Sequence, residues 1–137
     1  MADIAVTAAK VGRAFPGNDE VHTGILSETV TAGQIVYQTS SGTFGVADAD
    51  VTGRQQARGV ALRGGGAGQA VPILKRGFVE GFDVTSLNAD VRLFLSDTAG
   101  RINDVASTTL TVICGRVFVV NGQKVVYFDF DWLRQWS

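Results

Sequence analysis

The stretch Arg116-Val-Phe-Val-Val-Asn-Gly-Gln-Lys-Val-Val-Tyr-Phe-Asp-Phe130 decides the fold class of this chain. Two hydrophobic runs, 116–120 and 123–130, flank the dipeptide Asn121-Gly122. A two-residue hairpin turn needs positive φ at both central positions, and Asn-Gly adopts this conformation most readily. The stretch therefore predicts two antiparallel strands that are joined by a tight turn.

The rest of the sequence has the composition of a β protein. The chain of 137 residues contains 17 Gly and only 2 Pro, and Val, Ile and Thr together make up about a quarter of it. Branched side chains fit a pleated surface better than a helix, and Gly supplies the positive φ of tight turns. No window shows the i, i+3, i+4, i+7 stripe of an amphipathic helix. We therefore expect an all-β fold, either a small compact β-barrel or a sandwich.

Hydrophobic runs and turn residues locate further elements along the chain. A hairpin is expected over 35–47 and a polar loop over 48–56. Gly77 predicts a bend or bulge inside a long strand, for which Val71, Ile73, Phe78 and Val79 are core candidates. The remaining predicted elements are strands at 21–31, 59–62, 70–82, 91–95 and 109–113, and a short helical turn at 132–136.

The chain divides into two parts at its first strong turn signal. Residues 4–11 are expected to be extended, and Phe15-Pro16-Gly17-Asn18-Asp19 predicts a loop. We therefore assign residues 1–20 to an N-terminal arm and loop, and residues 21–137 to a single β-barrel domain. A chain of this length is large enough to bury one core.

Charge and composition argue against several classes of function. There are 12 basic and 13 acidic residues, for a net charge of −1, so neither nucleic acid nor an anionic membrane is expected as a partner. No apolar run approaches about 18 residues, and the first residues lack the pattern of a signal peptide. One Cys and one His exclude the Cys-rich and two-His zinc signatures. We expect no metal and no cofactor.

The candidate catalytic groups each have a simpler structural interpretation. Cys114 lies in an apolar stretch and is typical of a buried small side chain, and its one possible base, His22, lies in a polar segment. Asp129 and Asp131 lie two residues apart and share one face of a strand. They fit the solvent-exposed face of a strand whose other face packs against a core. We therefore expect no catalytic residues and no enzymatic activity.

Nine of the 12 basic residues are Arg, which forms planar paired hydrogen bonds and stacks on aromatic rings, as protein interfaces require. Near the last residues, Trp132, Arg134 and Trp136 form a candidate interface with another subunit. The two Trp residues fit equally well with closing the end of a core.

Six phrases, in this order and spacing, resemble the capsid cement or head decoration proteins of tailed bacteriophages. The resemblance runs from about residue 24 to residue 131. The phrases are Thr31-Ala-Gly-Gln-Ile-Val-Tyr37, Gly59-Val-Ala-Leu62, Gly68-Gln-Ala-Val-Pro-Ile-Leu74, Gly77-Phe-Val-Glu-Gly81, Val91-Arg-Leu-Phe-Leu-Ser-Asp-Thr-Ala-Gly100 and Cys114-Gly-Arg-Val117.

The resemblance implies a non-enzymatic virion protein, made in the bacterial host cytoplasm, that sits on the outer surface of the head. It implies that the protein bridges neighbouring major capsid protein subunits and forms small symmetric oligomers, often trimers. The expected core is a small β-barrel, described as a β-tulip in some members, with an extended terminal arm that adds a strand to a capsid-protein sheet.

The N-terminal segment is the candidate for that arm, since an extended segment can pair with an open sheet edge and order only on binding. Its candidate capsid-binding residues are Ile4, Val6, Val11, Arg13 and Phe15. Deleting residues 1–15 is then expected to weaken attachment and to leave the barrel folded.

Three other functions stay open at this point. The first is a different virion component, such as a head fibre base or a tail part. The second is a carbohydrate-binding β-module, in which Tyr37, Trp132 or Trp136 would stack on sugar rings. The third and most remote is a small hydrolase that uses Asp129 and Asp131.

Overall fold

The computed structural model describes residues 3–137, so the first two residues of the expected arm lie outside the described residues. The described part of the chain is all-β, as the sequence predicts, and contains no helix of the length and hydrophobicity that a membrane crossing requires. A single 3₁₀ turn spans Ala8–Lys10. The strands are β1 (Gly12–Arg13), β2 (Glu20–Ile25), β3 (Ile35–Gln38), β4 (Phe44–Val46), β5 (Ala57–Ala61), β6 (Ala70–Glu80), β7 (Arg92–Leu95), β8 (Ile102–Asn103), β9 (Ile113–Val120) and β10 (Gln123–Asp129).

Strand β6 organises the single, strongly curled sheet. The sheet has the order β4-β3-β5-β6-β10-β9-β7-β8, and β1 and β2 also pair with β6. Leu74 is paired with Val21 of β2 and with Val60 of β5, so these two strands lie on opposite edges of β6. Further along, Arg76 is paired with Glu20 of β2 and with Asp129 of β10. One long strand therefore forms hydrogen bonds with four others.

The first half of β6 belongs to a small ring of five strands. From β2 the pairing runs through β6, β5 and β3 to β4. The curl brings the two ends of this series together, because Leu26 forms a bridge with Phe44 and the Ser27 N–H donates to the Phe44 carbonyl at 2.8 Å. The first core fills this ring and consists of Leu26, Val30, Val36, Val46, Ala61, Val71 and Ile73.

A second, larger core lies on the other side of the shared strands. Successive residues of a strand point to opposite faces, so a strand that is buried on both faces needs apolar residues in succession. Ile73 packs in the first core and Leu74 in the second, and Ala61 and Val60 of β5 divide in the same way. The consecutive apolar residues of β5 and β6 therefore indicate a wall between two cores.

The N-terminal segment closes the second core. The Ile4 N–H donates to the Ile102 carbonyl of β8 at 2.9 Å, and the Thr7 N–H donates to the Gly81 carbonyl at 2.9 Å. The Ile4 side chain is buried in this core. The segment is thus packed against its own domain, which differs from the expectation that it orders only on binding. It is also not extended over the whole of 4–11, because Ala8–Lys10 form the 3₁₀ turn. Its removal is now expected to open the second core.

The two hairpins with the clearest sequence signals are confirmed. Val120 pairs with Gln123, and Asn121 and Gly122 have φ of 51° and 77°. These values match the turn type that Asn-Gly favours. The hairpin predicted over 35–47 is β3 and β4.

Residues 109–112 do not form the strand that their alternation predicts, because β9 begins at Ile113. Here the Ser107 hydroxyl accepts a hydrogen bond from the Thr109 N–H at 3.0 Å, and the Thr109 hydroxyl donates to Asp50 at 2.7 Å. Such side-chain hydrogen bonds compete with a strand ladder. Residues 132–136 were expected to form a short helical turn. They contain a single hydrogen-bonded reverse turn, in which the Arg134 N–H donates to the Asp131 carbonyl at 3.3 Å.

The predicted irregularity of β6 is present, with the bulge at Lys75 and an unusual backbone conformation at Gly77. Val21 is paired with Leu74 and Glu20 with Arg76, so one extra residue bulges at Lys75. Gly77 itself has φ of 145°, and a Cβ there would lie 2.4 Å from the Cβ of Asp19. Only Gly fits this position without displacement of the neighbouring chain.

We predict that Ile4→Ala lowers the free energy of unfolding by about 2–5 kcal/mol, because it opens a cavity in the second core. Urea denaturation monitored by circular dichroism measures this loss. Ile25→Ala is the matched control, since Ile25 is 44% exposed and its truncation should cost about 0.5 kcal/mol. Equal losses in the two variants would contradict the placement of Ile4 in the core.

We predict that Gly77→Ala lowers the free energy of unfolding by about 3 kcal/mol, because strained φ and steric overlap with Asp19 add. Gly42→Ala separates the two effects. Gly42 has φ of 92° and no atom within 4 Å of the added Cβ. Gly42→Ala should lower the free energy of unfolding by about 1–2 kcal/mol, from the strained backbone conformation alone. A Gly77→Ala variant as stable as Gly42→Ala would disprove the close approach.

Candidate functional site

Four aromatic rings form a cluster on the outer side of the sheet. Phe78 of β6 is at its centre, with ring centroids 5.3 Å from Phe15, 5.1 Å from Phe118 and 5.0 Å from Tyr127. These three neighbours come from the loop after β1, from β9 and from β10. We call the surface formed by Phe15, Phe78, Phe118 and Tyr127 the aromatic face.

Strand register places the cluster outside the second core. Val126 and Phe128 of β10 point into that core, so Val125 and Tyr127 between them point outward. Tyr127 is paired with Phe78 on one side, and Val125 with Phe118 on the other. Val125 is only 1% exposed although it lies on the outer side, because the surrounding rings cover it.

The aromatic face is only partly covered. Phe118 is 43% exposed, and Phe15, Phe78 and Tyr127 are half-buried. A large ring that is fixed by neighbouring rings and still reaches solvent can dock against another protein at little cost in conformational entropy. The cluster therefore has the character of a preformed contact surface.

Arginines border the aromatic face on the β9 side. Arg116 is paired with Tyr127 of β10 and with Arg92 of β7, so the two arginines are cross-strand neighbours, and the Arg92 guanidinium lies over the Phe94 ring at 5.5 Å. Like charges in opposite positions are destabilising. Arg116 has one carboxylate partner, Asp90, at 3.3 Å, and that residue's side chain is 83% exposed. Aromatic residues and Arg are enriched at interfaces, and an acidic partner would meet two neighbouring positive charges here.

The five candidate arm residues do not form one surface. Ile4 is buried in the second core, and Val6 and Val11 pack against it. Their side chains therefore stabilise the domain itself. They are accessible to a partner only if the segment leaves the sheet.

The other two arm residues reach the surface. The exposed Arg13 guanidinium donates to the Asp19 carboxylate at 2.8 Å, and this hydrogen bond lowers the pKa of Asp19 below its ordinary value. Phe15 packs edge-on against Phe78 and so belongs to the aromatic face. Of the predicted arm residues, Phe15 is thus the one that the fold brings into this contact surface.

The three candidate residues near the end of the chain also separate. Trp136 is buried. Its main-chain N–H donates to the side-chain oxygen of Gln56, and its main-chain carbonyl accepts from the side-chain nitrogen of Gln56, both at 2.8 Å. Arg134 lies over its ring at 4.1 Å. Trp132 is 38% exposed, and its indole N–H donates to the Arg58 carbonyl at 2.6 Å. Trp136 therefore closes a core, and Trp132 remains available at the surface.

Of the candidate catalytic residues, Asp129 and Asp131 both line one open surface cavity, whereas Cys114 and His22 lie apart. Cys114 is buried in the second core, whereas His22 bonds Glu20 at 2.8 Å and packs against Trp132. Asp131 accepts a hydrogen bond from a main-chain N–H. Within residues 3–137, no three His, Cys, Asp or Glu side chains come close enough together to hold a metal ion.

The aromatic face was not predicted, because Phe78 and Val79 were both expected in the core. Only Val79 of these two neighbouring residues is buried in the second core. Since adjacent strand residues point to opposite faces, the pair Phe78-Val79 itself carried the signal that one of them faces outward.

Comparisons of the chain with protein-family models, with curated proteins and with solved structures found no match.

We predict that Cys114 is unreactive towards a thiol reagent such as DTNB in the folded protein at mildly alkaline pH. Burial raises the pKa of this thiol, so the reactive thiolate is absent. Denaturation in guanidinium chloride should release one reactive thiol per chain. Rapid reaction of the native protein would contradict the buried position.

Proposed function

We propose that this chain is a non-enzymatic virion structural protein that binds the outer surface of a tailed-phage head and bridges major capsid protein subunits. The aromatic face carries the proposal. It presents rigid rings and arginines on a closed β scaffold, and these are the residue types that anchor protein interfaces.

The resemblance in sequence supports the choice of partner. The six phrases that resemble capsid cement proteins fall on the strands and turns of both cores, from β3 to β9. One of these phrases, Gly77–Gly81, contributes Phe78 to the aromatic face, and another, Cys114–Val117, contributes the bordering Arg116. A net charge of −1 suits attachment to protein.

Attachment in this proposal uses the folded surface in place of a free arm. Residues 4–7 are held by their own domain on both sides, at Ile102 of β8 and at Gly81 and Asp83 after β6. Phe15 contributes to the contact through the aromatic face. The capsid surface that receives it should carry carboxylates opposite Arg92 and Arg116. Many copies bound around one closed shell then strengthen it through repeated contacts.

The test is co-sedimentation of the purified protein with expanded head shells of the phage that encodes it, prepared without this protein. We predict saturable binding at a fixed ratio to the major capsid protein. Phe118→Asp should weaken binding about tenfold or more, because it places a charge on the most exposed ring of the contact. Circular dichroism should show an intact fold, since Phe118 is 43% exposed.

Val105→Asp is the control, because Val105 is 49% exposed and lies outside the aromatic face. It should bind like the wild type. Absence of binding to expanded shells would refute the head-decoration proposal and favour another virion component. Binding of Phe118→Asp with wild-type affinity would place the contact elsewhere on the chain.

A further inference from the structure

The Arg101 side chain carries a buried donor, its Nε–H, that meets no acceptor within residues 3–137. The same guanidinium is held in place through its Nη2, which donates to the Ile4 carbonyl at 2.9 Å. A buried N–H that shares a positive charge and has no acceptor costs stability, and native folds contain few such atoms. An acceptor that a ligand supplies would remove this cost.

A small cavity of about 90 Å³ lies against Arg101. The N-terminal segment forms one wall through Val6 and Ala8, and the turn before β3 forms the other through residues 31–34. The two walls are in direct contact, since a Cβ on Gly33 would lie 2.6 Å from the Val6 side chain. Liquid water occupies roughly 30 Å³ per molecule, so the cavity has room for a group of roughly three to five heavy atoms.

The polar lining of this cavity favours an anion. Among the described residues that line it, Arg101 brings the one charge, and none carries a carboxylate. The Gln34 side-chain oxygen accepts from the Thr31 N–H at 2.9 Å, so the group that this amide offers to a ligand is its NH2 donor. Hydrogen bonds from a guanidinium to an anionic oxygen are among the strongest that proteins form.

Asp3 acts on Arg101 through its charge and does not occupy this cavity. Its carboxylate lines a different cavity, where it accepts hydrogen bonds from Ser96 and Asn103. Within residues 3–137 no ion pair joins it to Arg101. The Arg101 Nε–H therefore has a negative charge in its surroundings but no acceptor of its own.

We propose that the cavity between the N-terminal segment and residues 31–34 binds a small oxyanion, such as inorganic phosphate or a free carboxylate, with the Arg101 Nε–H as its charged donor. The ion would contact both walls. Because Arg101 also holds the Ile4 carbonyl, a bound ion ties the N-terminal segment more firmly to the domain. The inference concerns a second site and is independent of the proposed head attachment.

The experiment is a titration of the ¹⁵N-labelled full chain with sodium phosphate, and separately with sodium acetate. The pH is constant, and sodium chloride keeps the ionic strength constant. Two-dimensional ¹H–¹⁵N NMR detects the Arg101 Nε–H directly. We expect its resonance to shift and to saturate by about 50 mM of at least one anion, as a dissociation constant in the millimolar range requires. The anion that saturates the shift at the lower concentration is the one that the cavity prefers.

Two arginine variants separate site binding from a general salt effect. Phosphate stabilises folded proteins by exclusion from their surface, so the midpoint of urea denaturation should rise somewhat in every variant. In the wild type a saturable increase should be added to this rise, because a ligand that binds only the folded state stabilises it. Arg101→Gln should lose the saturable part. Arg63→Gln should keep it, since the exposed Arg63 also donates to a main-chain carbonyl, that of Ala70 at 3.2 Å, but lies outside the cavity.

An Arg101 Nε–H resonance that moves with neither anion would overturn the inference, and this wild-type titration decides it even where Arg101→Gln does not fold. Equal increases in the urea midpoint for Arg101→Gln and Arg63→Gln would also overturn it, because the effect would then lack a site. Hydrogen exchange of the Thr7 amide, which donates to the Gly81 carbonyl, should be slower in phosphate than in chloride. Unchanged exchange at a saturating anion concentration would overturn the tie to the N-terminal segment.

Discussion

The double role of β6 is the constraint on which the rest of the structure depends. Its first half closes a small ring of strands around one core, and its second half begins the wall of a larger one. Both edges of the strand are paired, and both of its faces meet apolar side chains at Ile73 and Leu74. The bulge at Lys75 and the unusual φ of Gly77 allow one strand to change neighbours between the two halves. Phe78 and the aromatic face follow directly after this bend.

The sequence carried most of the local structure, because local structure depends on local chemistry. Asn121-Gly122 defines its hairpin through backbone φ, and Gly77 marks the strand that bends, with the bulge two residues earlier at Lys75. The closure of the sheet could not be predicted from the sequence, because it depends on hydrogen bonds such as that between Ile4 and Ile102, which are far apart in the chain. The two-residue strands β1 and β8 have no periodicity of their own. Alternation failed at 109–112, where the Ser107 hydroxyl accepts from the Thr109 N–H and the Thr109 hydroxyl donates to Asp50.

The same limits explain which functional residues could be predicted. Phe15 and Trp132 were chosen for their position in the chain, and both reach the surface. Ile4 and Trp136 were chosen for the same reason and are buried, because an apolar residue near either end serves equally well to seal a core. The aromatic face draws one ring from each of four separate segments. Only the register of β6, β9 and β10 brings these rings together, and single-sequence patterns do not contain that register.

Two modes of attachment make different demands on the domain. In one, an N-terminal arm adds a strand to a capsid-protein sheet; in the other, a folded face docks on the capsid protein. Here the N-terminal segment is needed to complete the second core, so attachment through the aromatic face leaves the fold intact. Electron cryomicroscopy of expanded shells saturated with this chain tests the difference most directly. We predict that the outer surface of β6, β9 and β10 faces the capsid, with Ile4 still bonded to Ile102 of β8 and Thr7 still bonded to Gly81. A bound chain whose aromatic face points to solvent, with its first residues inserted in a capsid-protein sheet, would contradict it.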